Sequence, residues 1–102
     1  MRLQASASGA QIASILLGKF RWDRELLGPK NGINVTFTTP EPFVQSGNLI
    51  VRVHLNGQRL RLGISNDYTV FESGGLGTGF DTIILTIAPK NYESLLADYV
   101  VP

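Results

Sequence analysis

The stretch NLIVRVHLNGQRLRLGISNDY, residues 48–68, decides how the rest of the chain is read. Leu49, Val51, Val53 and Leu55 alternate with Ile50, Arg52 and His54. A period of two gives a strand with one buried face and one mostly wet face. Asn56-Gly57 then predicts a type I′ hairpin turn, because both central residues of that turn need positive φ. After it, Leu60 and Leu62 alternate with Arg59 and Arg61. The hairpin therefore offers an apolar face and a polar face carrying Arg52, His54, Arg59 and Arg61.

Working towards the N-terminus, Ser46-Gly47 is a turn and Pro40-Glu41-Pro42 is expected to end a strand, since proline cannot donate to a ladder. Ile33, Val35 and Phe37 alternate with Asn34, Thr36 and Thr38, which predicts that strand. Arg24–Leu27 predicts a short first strand before the turn at Gly28-Pro29. Residues 1–23 read as a separate arm and short helix, with the sandwich domain over 24–102. Ser8 and Gln11 fit a capping box, Ile12, Ile15 and Leu16 follow at helical spacing, and Gly18 is a stop. A helix of about two and a half turns is marginal alone. Its apolar stripe, with Phe20 and Trp22, must dock either on this chain's own sheet or on a neighbouring subunit.

Towards the C-terminus, Tyr68 and Val70 begin a strand, and ESGGLGTG, residues 72–79, is a flexible hairpin loop. The next strand is expected over Thr82–Ile87, with Ile83, Leu85 and Ile87 inward, Thr82 and Thr86 outward, and Ile84 an apolar outlier. Leu95, Ala97 and Tyr99 are the inward set of the last strand. Short strands at near-regular spacing predict an all-β fold, an antiparallel sandwich of jelly-roll or immunoglobulin-like type.

Composition agrees and narrows the function classes. The 102 residues suit one domain, and 43% hydrophobic content supplies a core. Eleven glycines and five prolines fit a turn-rich β protein. A net charge of +1 argues against a general nucleic-acid binder. No cysteine is present, so thiolate metal sites are excluded. No run approaches the roughly 18 apolar residues of a membrane span. Ile12–Leu17 is a short apolar core with no convincing cleavage site after it, so no leader peptide is expected.

The chemistry-bearing residues form no catalytic pattern. His54 is the only histidine and has no carboxylate near it in sequence, a poor start for a metal site. The glycines of 72–79 lack both G-x-G-x-x-G and a G-K-[ST] ending, so no phosphate loop is expected. Glu72, Asp67, Asp81 and Asp98 are too dispersed for a calcium loop. No catalytic, cofactor or metal residue is assigned, and no enzyme activity is expected.

The series NGINVTFTTPEPFV, LIVRVHLNGQRLRLG, NDYTV, DTIILTIAP and LLADYVV, spanning Arg24–Val101, resembles a small β-sandwich module of tailed-bacteriophage virions. The matching positions are Thr36–Thr39, Val53–Leu60, Asp67–Thr69, Ile83–Pro89 and Leu95–Tyr99. The resemblance implies a structural virion protein. A short single-copy chain suits a capsid decoration, or cement, protein; a tail-fibre, tail or neck component is the nearest alternative. Implied partners are the major capsid protein or another virion protein, with a homo-oligomer, a trimer by analogy. Expected protein contacts are Ile12, Ile15, Leu16, Phe20 and Trp22, then Arg52, Arg59 and Arg61, since arginine suits interfaces. A carbohydrate-reading receptor module is a different class of reading. It needs exposed aromatics, and Trp22 and Tyr92 are the candidates, because Tyr68 and Tyr99 read as core.

Overall fold

Alternating apolar residues close two antiparallel sheets over a shared core. A computed structural model describes residues 18–47 and 49–102. The helix expected before Gly18, with Ile12, Ile15 and Leu16, lies outside the described residues. Seven strands follow: β1 Phe20–Glu25, β2 Thr36–Phe43, β3 Arg52–Leu55, β4 Gln58–Arg59, β5 Tyr68–Phe71, β6 Phe80–Leu85 and β7 Leu95–Val100. One sheet has the order β1-β7-β3-β4 and the other β2-β6-β5. All named pairs are antiparallel. The expected all-β sandwich is the fold.

The hairpin turn forms as read. Asn56 and Gly57 have φ of 54° and 82°, and His54 pairs with Arg59 and Leu55 with Gln58. Its arms are shorter than the alternation implies. Gln45 Oε1 accepts the Val51 N–H at 3.0 Å, so the first arm joins the sheet only from Arg52. Asp67 Oδ2 accepts the Arg61 N–H at 2.7 Å, and the Arg61 carbonyl accepts the N–H groups of Asp67 and Tyr68. These bonds turn the chain out of β4 and into the second sheet.

Phe37, Phe43, Val51, Val53, Tyr68, Ile83, Leu85, Leu95, Ala97 and Tyr99 fill the space between the sheets. The Phe43 ring meets Tyr99 edge-on at 5.8 Å and lies 6.0 Å from Phe80. The Tyr68 hydroxyl donates to the Val51 carbonyl at 3.0 Å, which satisfies the one polar atom that this ring carries inside. Burial pushes the Tyr68 phenol above its ordinary pKa.

Four expectations need correction. The strand over Arg24–Leu27 instead starts at Phe20 and ends at Glu25. Leu26 then drops into the core and Leu27 bonds Thr38 in the other sheet, which ends the pairing with β7. The segment Pro40-Glu41-Pro42 does not end β2, which runs to Phe43. It is an edge strand with a register shift between Thr38 and Phe43, so the missing N–H groups break no central ladder. Ile33 belongs to a turn and not to β2, because the Asn31 carboxamide accepts the N–H groups of Ile33 and Asn34. Finally, β6 runs from Phe80 to Leu85. Ile87 is 82% exposed, while Thr82, expected outside, is 4% exposed in the middle strand of its sheet.

Candidate interaction surface

The site grows from a kink in β1. Asp23 takes a φ of 53°, and the register against β7 shifts between Arg21 and Arg24. Asp98 holds this bulge: its Oδ1 accepts the Asp23 N–H at 2.7 Å. Phe20 and Trp22, two residues apart and so on one side of the strand, stack with centroids 5.3 Å apart and planes 9° from parallel. Trp22 is nevertheless 62% exposed.

Beside the pair opens a cleft of about 100 Å³, walled by Leu49, Ile50 and Val100 as well as the two rings. Arg52 and Asp98, paired across β3 and β7, form its polar rim. His54 Nδ1 lies 3.9 Å from Asp98 Oδ2. The cleft therefore combines an aromatic plane, an aliphatic floor, a guanidinium and a carboxylate, the mixture found at the centre of protein interfaces.

Of the expected contact residues, Phe20, Trp22 and Arg52 converge here. Arg59 sits opposite His54 on β4, further along the same sheet. Arg61 has left the strand at the turn towards Asp67. Asp98 supplies the acidic neighbour that a row of arginines needs. Leu49, Ile50, Val100 and Asp98 were not expected at a site. Ile50 did carry a signal, an aliphatic side chain at a wet position of the alternation.

A second cluster ties the two sheets together along β1 and β2. Arg21 Nε donates to Glu41 Oε2 at 2.8 Å, the Tyr99 hydroxyl donates to Glu41 Oε1 at 2.8 Å, and Arg24 Nε lies 3.9 Å from Oε1. The Arg21 bond, then the Tyr99 bond, hold the Glu41 carboxyl below its ordinary pKa. Burial, then the bond to Glu41, push Tyr99 up to about 12. Each group has its partner and none faces a cavity, so the cluster reads as a clamp between layers.

The glycine loop also consumes its own chemistry. The Glu72 carboxylate accepts the N–H groups of Gly77 and Gly79, at 3.1 and 2.9 Å to Oε2. Asp81 accepts from the backbone and the hydroxyl of Ser73, which lowers its pKa. The N–H groups that could cradle a phosphate already hold a carboxylate. Among the described residues no three His, Asp or Glu side chains gather as a metal site, and no helix is long and apolar enough to cross a membrane.

Tyr92, 76% exposed, overlooks a depression of about 420 Å³ with Lys30, Asn31, Lys90 and Asn91. Lys30 Nζ donates to the Glu93 carbonyl at 2.5 Å, which fixes one ammonium at this rim. No family model, curated protein or solved structure matches the chain.

Proposed function

We propose that this protein is a structural, non-catalytic assembly unit of a tailed-phage virion, and that it decorates the coat lattice of the head. Copies bridge neighbouring coat subunits and oppose the outward pressure of packaged DNA. The observation that carries the reading is the stacked Phe20–Trp22 pair: its indole is 62% exposed beside an aliphatic cleft and Arg52. A side chain of that size left bare on a bulged edge strand fits an anchor for a partner better than a contribution to the chain's own core. A contact of ordinary size, about 1,600 Å² in total, repeated over a shell, stabilises the shell by mass action. The resemblance over Arg24–Val101 supports the virion setting, and a tail-fibre, tail or neck position is the nearest alternative within it.

The test is co-sedimentation of purified protein with undecorated phage heads. Saturable binding that Trp22→Ala weakens at least about tenfold, the effect of losing one anchor, is the expected result. No binding, or binding indifferent to Trp22→Ala, rejects the reading.

The depression at Tyr92 favours a second reading as a glycan-binding module. An exposed phenol ring flanked by two ammonium groups and two carboxamides suits a sugar that carries a carboxylate. A glycan array decides it: signal on acidic sugars that disappears with Tyr92→Ala supports this reading, and a blank array rejects it.

A further inference from the structure

At one end of the sandwich the core has no lid. The Leu85 N–H donates to the Val35 carbonyl at 2.8 Å, so these residues sit side by side on neighbouring strands. Ile33 and Ile87 lie two positions beyond them and continue the core-facing row. The opposing sheet has already turned back at Asn56-Gly57 and does not reach them. They are 83% and 82% exposed. Ile64, 91% exposed, joins this end through the loop whose Asn66 and Asp67 carbonyls accept the Thr86 hydroxyl and N–H. Between the sheets a mouth of about 170 Å³ opens, walled by Leu55, Leu60, Leu85 and Ile87. That is room for one aliphatic side chain.

The other end carries such a side chain. The loop 72–79 leaves β5 and enters β6 at the end of the sheet away from this mouth. It is braced by Glu72 on Gly77 and Gly79, and by the Thr78 hydroxyl on the Gly75 carbonyl at 2.6 Å. At its tip Leu76 is 100% exposed. A leucine that buries nothing at home, on a loop tied down around it, is arranged for burial elsewhere.

We propose that Leu76 of one copy enters the Leu55–Ile87 mouth of the next, so that copies associate head to tail. Charge agrees with size. Glu72 and Asp81 lie beside the projecting loop, and Arg59 and Arg61 flank Leu60 at the receiving end. Projection and socket lie at opposite ends of one chain, so the contact is heterologous and propagates into a ring or a row instead of closing as a two-fold dimer. One side chain in one small socket binds weakly in free solution. It gains strength where a lattice already holds copies close together. The inference rests on the assembly reading above and names a contact within it.

Sedimentation velocity of the full chain, from micromolar to millimolar concentration, tests it. The average mass is expected to rise with concentration. Leu76→Ser and Ile87→Ser should each weaken association at least about tenfold, the loss of one buried aliphatic side chain, with melting unchanged because both sites are exposed. Mixing the two variants is decisive: one intact projection and one intact socket remain, so a 1:1 dimer forms and grows no further. Wild-type protein that stays monomeric at millimolar concentration overturns the inference and leaves docking on coat protein standing. Self-association that ignores both substitutions, or a mixture that recovers nothing, also overturns it. Intact self-association without binding to phage heads overturns the functional reading alone.

Discussion

Replacing Tyr99 with Phe removes one oxygen from the clamp between the sheets and little else. The ring is 2% exposed and packs edge-on against Phe43, contacts that phenylalanine keeps. What disappears is the 2.8 Å bond from the hydroxyl to Glu41. A hydrogen bond to a charged group contributes about 1.5–3 kcal/mol. Glu41 is 32% exposed and retains Arg21, so the lower end applies, about 1.5 kcal/mol. For a domain of this size that lowers Tm by about 6–12 °C.

The pH dependence follows from the same bond. The Glu41 carboxyl is held below its ordinary 4.5 in the folded chain. Its contribution is therefore complete above that value and is lost as the pH falls through the lower folded one. Tyr99 is raised from 10.0 to about 12. Its contribution is complete below 10.0 and is lost as the pH rises towards about 12. Urea unfolding of both chains across this range should show a constant gap in the middle that narrows at either extreme. A gap under about 0.3 kcal/mol near neutral pH, well below any charged hydrogen bond, refutes the reasoning. So does a gap that persists unchanged into strong acid.

Gly57→Val should cost more than about 1 kcal/mol, the penalty of a left-handed backbone for a branched residue, because φ is 82° and no atom stands within 4 Å of the added Cβ; an unchanged denaturation midpoint would contradict the turn. Ile83→Ala should destabilise by about 2–5 kcal/mol and Ile87→Ser by no more than about 0.5 kcal/mol, since one is fully buried and the other 82% exposed; equal losses in urea would place Ile87 inside the core. Deleting residues 1–17 should preserve the β-type circular dichroism and the melting transition while reducing binding to phage heads. A cut after Trp22 would not test the same idea, because it removes half of β1 and the Arg21–Glu41 pair.

The hairpin, the inward set of β7 and the two-layer class were legible because each rests on local alternation and one turn dipeptide. Ile87 was not. Alternation told correctly which side of the strand it occupies, but not that the opposite sheet stops short of it. The extent of a facing layer is a non-local quantity, set here by where Asn56-Gly57 reverses the chain. Pro40-Glu41-Pro42 failed for a related reason: whether a missing N–H matters depends on the strand's place in the sheet. The cleft was half legible. Phe20, Trp22 and Arg52 stood out by type, whereas Asp98 is recruited across 75 residues of chain by a bulge that no spacing announces.

The borders of the two sheets bear on how densely such a molecule can be packed. One border strand carries Pro40 and Pro42, another is only the two residues Gln58–Arg59, and a third is bent at Asp23. None of these three offers an unbroken run of donors and acceptors to a stranger's backbone. Crowded shoulder to shoulder on a particle, such chains would resist zipping together sideways into fibrillar aggregates. What is left for recognition is side chains on faces and at ends, which is how a protein can be present at very high local density and remain soluble.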